Sequence, residues 1–222
     1  MITASEMATR LRQLHRLLLD EKLIKSDAAT VIEKVAVKLG TQGKKADWGY
    51  SITPSDPLRF LPVDTKKVKN VQPVLQTKLC VAEASQEGIK GCFSELNSTL
   101  ELYSDGTLHD RWHVDLANEN QSGPLVHLQH GGHSSGSSSR HSESKLSIPR
   151  WMHPPMDIVL TSELVIANFF PDHWIRLRKN PTWVSLVKDA ESYCYQDYLN
   201  VISKHCSDSS MKTTMLHRFW AT

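Results

Sequence analysis

Residues 99–133 read TLELYSDGTLHDRWHVDLANENQSGPLVHLQHGGH, a stretch that combines strand alternation, a turn signal and clustered ionisable side chains. Asp105-Gly106 lies between two alternating runs, and this dipeptide suits a two-residue type I′ turn because both central positions need positive φ. A β-hairpin is predicted. Its second arm, Thr107 to Leu116, sorts Leu108, Asp110, Trp112, Val114 and Leu116 onto one face and His109, Arg111, His113 and Asp115 onto the other. The first arm opposes Leu100 and Leu102 to Thr99, Glu101 and Tyr103, so an apolar and a charged face match across the pair. On this register Trp112 is expected between sheet and helix, with Arg111 outside the core. After a polar loop, Leu125 to His130 returns as a further strand before Gly131-Gly132 breaks it.

Upstream of the hairpin, Val74 to Glu83 alternates and is predicted to join the same sheet. From Thr41 to Pro73 the prolines 54, 57, 62 and 73 interrupt the chain, and an irregular connection with one short edge strand is expected. The N-terminus is helical in pattern. Thr3 and Glu6 form a capping box, Met7, Leu11, Leu14 and Leu18 follow at helical spacing, and a second helix capped by Ser26 or Asp27 buries Val31, Ile32, Val35, Ala36 and Leu39 before Gly40. Beyond His133, residues 134–147 are serine-rich and polar, the composition of a mobile loop. A buried helix is predicted from Ile158 to Phe170, ended by Pro171, and a long one begins at the cap pair Asn180-Pro181, with Trp183, Val187, Ala190, Cys194, Tyr198 and Ile202 on one face. In the tail Met215, Leu216, Phe219 and Trp220 fall at i, i+1, i+4 and i+5, one helical stripe.

These elements define an α+β fold: an N-terminal helical hairpin, a central antiparallel sheet of four to five strands, and C-terminal helices packed on one face. The expected organisation is a hairpin over residues 1–40, a core domain over 41–206 and a C-terminal tail over 207–222. The length of 222 residues suits this, since a chain of that size buries roughly 70% of its unfolded surface in one core. With 26 Lys+Arg against 24 Asp+Glu the net charge is +2, which excludes a bulk electrostatic pull toward nucleic acid or membrane. Four cysteines without a C-x-x-C pair argue against a disulfide framework or zinc ribbon. No charged n-region with an apolar core opens the chain, and no apolar run approaches the ~20 residues of a membrane span, so a cytoplasmic protein without membrane association is expected.

Candidate functional residues fall into three sets. His109, His113 and Asp115 share a strand face, Glu101 lies opposite, and His127 with Gln129 occupies the later strand, so a His/carboxylate cluster could hold a divalent metal that activates water. The spacing matches no H-E-x-x-H motif, and the identity of the metal and of its ligands is left open. Arg111 on that face would suit a phosphate-binding nuclease site. The second set is basic, Arg10, Arg12 and Arg16 on the first helix with Lys44 and Lys45 beyond the second, where Trp48 and Tyr50 offer stacking surfaces for bases. The third is the apolar tail, Met215, Leu216, Phe219 and Trp220, a candidate anchor for a partner groove or for the body itself.

The segments Pro124-Leu-Val-His127-Leu-Gln129-His-Gly131-Gly132, Pro154-Pro155-Met-Asp157-Ile-Val-Leu and Ala167-Asn168-Phe-Phe-Pro171 resemble a group of uncharacterised bacterial proteins of similar size associated with mobile elements and defence gene clusters. The resemblance spans about the last half of the chain and implies a cellular context, with no catalytic residues to carry over. The leading expectation is therefore a non-enzymatic binding or accessory subunit of a bacterial cytoplasmic assembly, acting in defence against phage or foreign DNA and needing no cofactor. Its partner would be another protein subunit, with nucleic acid as a further candidate. The alternative is a metal-dependent hydrolase or nuclease, a phosphodiesterase in chemistry, that uses His109, His113, Asp115 and His127.

Overall fold

The computed structural model describes residues 2–82, 92–117, 122–131 and 148–221, and the serine-rich segment 134–147 lies outside them. The first helix, α1 (Ala4–Asp20), starts where the side chain of Thr3 accepts from the Glu6 backbone N–H and the Glu6 carboxylate accepts from the Thr3 backbone. Both partners of the capping box are satisfied. Met7, Leu11, Leu14 and Leu18 are all buried, the outcome of a 3.6-residue period. In α2 (Ser26–Gly40) Lys25 occupies the cap position without a side-chain bond, so neither Ser26 nor Asp27 is the cap.

The irregular connection contains two short strands, β1 (Trp48–Ile52) and β2 (Leu58–Arg59). Both pair antiparallel with one side of β3 (Val71–Val81), whose other side pairs with β4 (Phe93–Ser104). Asp105 and Gly106, at φ 49° and 79°, make the type I′ turn into β5 (Thr107–Leu116). After β6 (Gly123–Pro124), β7 (Val126–His130) pairs with β5, and β8 (Trp151–Met152) closes that edge. The sheet is antiparallel with the order β1-β3-β4-β5-β7-β8, and β2 lies beside β1 on β3. Seven strands exceed the four or five expected, because β2 and β8 are two-residue elements too short to show alternation.

The C-terminal part supplies α3 (Ile158–Phe169), capped by Asp157, then α4 (Pro171–Leu177) and α5 (Pro181–Ser207), capped by Asn180. Helix α2 meets β1 and β2, and α3 meets β3 and β4, so the helical layer covers one face of the sheet over its β1-to-β4 half. One apolar cluster runs from Met7 and Leu11 through Leu75 and Leu79 to Val165 and Trp183. The N-terminal hairpin thus shares its core with the sheet. Its linking turn is also tied to the sheet edge, since the Leu61 backbone N–H donates to the Leu23 carbonyl at 2.8 Å. No helix among the described residues is long and apolar enough to cross a membrane.

The tail reverses onto the body. A four-residue helix, α6 (Met215–Arg218), stops at Phe219, and β9 (Trp220–Ala221) pairs with β6. Phe219 is buried against Tyr198, while Leu216 and Trp220 stay exposed. The four apolar residues therefore do not form one continuous helical stripe.

Candidate functional site

The register of β4 on β5 decides which side chains can meet. Glu101 pairs with Arg111 and Leu102 with Asp110, but Tyr103 pairs with Leu108, so His109 is the extra residue of a β-bulge. Beyond the bulge Leu108 shares a face with Tyr103 rather than with Asp110, and the simple alternation across Thr107 to Leu116 ends there. His109 is exposed and stands apart from His113, Asp115 and His127.

On the uninterrupted side of the bulge the strands align as expected. Asp115 pairs with Asn97 on β4 and with His127 on β7, and His113 pairs with Thr99 and Gln129. This is the polar face, opposite the helices, and it is nevertheless closed: Thr99, Glu101, His113 and His127 are all buried. One ligand atom from each of His113, Asp115 and His127 lies within 4.8 Å of the other two. The His113 Nε2 to Asp115 Oδ2 distance is 3.1 Å, close to the roughly 3.3 Å between neighbouring ligands of a tetrahedral zinc with bonds of about 2.0–2.1 Å.

Local contacts set the chemistry of each group. The Nδ1 of His127 is 3.0 Å from the carbonyl of Pro124, and since a carbonyl only accepts, Nδ1 carries the proton. Its Nε2 is then a bare lone pair, fully buried and without a hydrogen-bond partner. A backbone carbonyl holding the far nitrogen is how metal-ligating histidines are commonly oriented. Burial pushes the His127 pKa down, against that hydrogen bond. Burial, with Arg111 and His127 nearby, pushes His113 down to about 4, so both imidazoles are neutral at pH 7. Asp115 is pushed up to about 6 by burial, opposed by Arg111, Arg150 and the amide of Asn97, which donates to its Oδ1. At neutral pH the trio is two neutral imidazoles and one carboxylate; because a carboxylate only accepts, His113 Nε2 carries its proton toward Asp115, and a metal bound there would displace that proton to the buried, unpartnered Nδ1.

Charged groups frame the trio. Glu101 Oε2 accepts from Gln76 at 2.8 Å and from the Tyr103 hydroxyl at 2.9 Å, whereas its Oε1 is 3.5 Å from Arg111 Nε, too long for a hydrogen bond. Both of those atoms are buried and lack a hydrogen-bond partner. Arg150 donates from Nε to Gln129 at 3.2 Å and from Nη1 to the Ser122 carbonyl at 2.6 Å. Sequence reasoning did not single out Arg150 or Asn97: Arg150 sits outside any alternating run, and Asn97 lies on the first arm, where only its strand partner Asp115 signals its use.

Trp112 does not lie between sheet and helix. It is on the helix-side face but on β5, beyond the strands that α2 and α3 cover, and it is 39% exposed, its ring centre 4.5 Å from that of His130 with the two planes tilted by 49°. Arg111 is the more buried of the two, at 11% side-chain exposure. The expected order of burial is reversed.

The basic set is dispersed in its roles. Arg10 pairs with Asp189 and lies 5.7 Å from the centre of the Tyr193 ring, and Arg12 pairs with Glu33, while Arg16, Lys44 and Lys45 are exposed. Trp48 and Tyr50 are buried and stacked on each other, with the Trp48 indole N–H bonded to the Ile2 carbonyl, so neither offers a face to a base. In the tail, Phe219 is committed to the body and the Trp220 indole N–H donates to Ser122 Oγ at 2.9 Å. No family model matches the chain, and no curated protein and no solved structure shows significant similarity to it.

Proposed function

We propose that His113, Asp115 and His127 bind a divalent transition metal that activates water, and that the protein is a metal-dependent hydrolase. The observation that carries this reading is the convergence of the three ligand atoms, with the buried Nε2 of His127 unprotonated and unpartnered. Two imidazoles favour zinc, iron or nickel over magnesium or calcium, which take oxygen ligands, and the carboxylate also admits manganese. Three protein ligands leave coordination positions open for water and substrate, the arrangement of catalytic rather than structural sites. The test is metal content of chelator-treated and reloaded protein by mass spectrometry, with hydrolysis of chromogenic esters followed in parallel. Wild type should take up about one equivalent, and His127→Ala and Asp115→Asn should lose both metal and hydrolysis. Uptake unchanged in both variants overturns the reading.

A second reading, an accessory subunit of a cytoplasmic defence assembly, draws support from Leu216 and Trp220, two large apolar side chains that both stay exposed on the tail. Under that reading Trp220→Ala abolishes partner capture from the native cell without loss of stability, and capture that persists in the variant removes it.

A further inference from the structure

The charges around the trio carry a statement about substrate. Two carboxylates, Glu101 and Asp115, stand against two guanidiniums, Arg111 and Arg150, and Lys78 with Glu95 forms a separate pair at 2.6 Å on the exposed margin of the same face. Metal ligation itself requires neutral imidazoles and an ionised Asp115, so among the described residues the two carboxylates and two guanidiniums, buried or half-buried, sum to zero. A divalent cation held by His113, Asp115 and His127 raises it to +2 among residues such as Glu101, 2% exposed, and His127, 0% exposed. An uncompensated charge beside groups this buried is unfavourable, and an anion delivered with the substrate is the natural compensation.

The donors present select the kind of anion. Arg111 shares the strand face of His113 two residues away, and its buried Nε has no hydrogen-bond partner. Arg150 reaches the site from the neighbouring edge through Gln129, the strand partner of His113. Guanidiniums present forked donors matched to the oxygens of a phosphoryl group, and the metal polarises the same group. Resting on the metal reading above, we infer that the site takes a phosphorylated substrate, with Arg111 and Arg150 as its phosphate-binding residues.

The experiment uses full-length protein, manganese as the metal and inorganic phosphate as the probe. With protein in excess over Mn²⁺, bound metal should broaden the phosphorus resonance of phosphate, and calorimetry should show phosphate binding at least about tenfold tighter to loaded than to metal-free protein. Arg111→Met and Arg150→Met should each weaken phosphate binding by about tenfold or more while metal uptake is retained. The comparison of loaded with metal-free wild type needs no variant, so it stands even if one substitution fails to fold. Metal uptake with phosphate affinity unchanged by the metal, or unchanged in both arginine variants, overturns the inference and leaves the metal reading intact. No metal uptake at all overturns both.

Discussion

Asp115 and His127 face each other across the antiparallel pair of β5 and β7, and His113 lies two residues along β5 on the same side. Because successive side chains of a strand alternate, a slip of one residue would carry His127 to the helix-side face and dissolve the cluster. The site is therefore a property of register, and register here is pinned on the opposite face by Val114 against Leu128 and Leu116 against Val126.

Metal binding should stabilise the fold. At a free metal concentration about 100 times Kd the unfolding free energy should rise by about 2.7 kcal/mol. Thermal unfolding with and without chelator measures this increment, which Asp115→Asn or His127→Ala should abolish. An increment equal in wild type and variants would place the metal elsewhere.

The two tryptophans on opposite sides of the burial scale should differ sharply. Trp183 is 1% exposed on α5, and Trp183→Ala should cost about 3 to 5 kcal/mol. Trp112, at 39% exposure, loses chiefly its contact with His130, and Trp112→Ala should cost no more than about 1 kcal/mol. Urea unfolding midpoints decide it, and comparable losses at both positions would contradict the helical layer's boundary.

Asp157 should make stability fall as pH rises. It is fully buried at the start of α3, where Oδ1 accepts from the Leu160 backbone N–H at 2.9 Å and Oδ2 accepts from the Tyr193 hydroxyl. Burial pushes its pKa up to about 7, against the backbone hydrogen bonds and Arg10. An unfolded aspartate titrates near ~3.9, so the folded state holds the proton more tightly, and this contribution is full below that value and lost as pH climbs toward 7. Asp115, raised to about 6, acts in the same sense. In the metal-free protein His113, lowered to about 4, acts in the opposite one: its contribution is present above ~6.5 and lost as pH falls. Asp157→Asn keeps the cap acceptor, and its stability relative to wild type should improve between about pH 5 and pH 8. A difference independent of pH over that range would assign the proton elsewhere.

The tail is expected to be energetically part of the body through a single side chain. Phe219→Ala removes the centre of a small satellite cluster with Tyr198 and should cost about 2 kcal/mol, while Trp220→Ala, half in solvent, should cost under about 1 kcal/mol. Limited proteolysis reports the same event directly: the segment after Ser207 should become sensitive in Phe219→Ala and remain protected in Trp220→Ala.

What the sequence determined by itself is what neighbouring residues decide among themselves. The Asp105-Gly106 turn follows from backbone sterics, the Thr3-Glu6 and Asn180-Pro181 starts follow from unpaired N–H groups of a first helical turn, and the sorting of Arg111, His113 and Asp115 onto one face follows from strand geometry. Each needs only a few residues of context, and each is legible without a partner. What tertiary structure decided is everything that depends on which surface a distant element covers. The bulge that removes His109 from the site is a matter of β4 registering on β5, and the exposure of Trp112 is a matter of where α2 and α3 stop. The burial of the polar face joins three strands, and the approach of Arg150 to Gln129 joins residues 21 positions apart in the chain. The reversal of the tail at Phe219 trades helical hydrogen bonds for pairing with β6, a gain that exists only once the body has formed. Long-range packing supplies most of the free energy that holds an element in place, and a local sequence pattern does not record it.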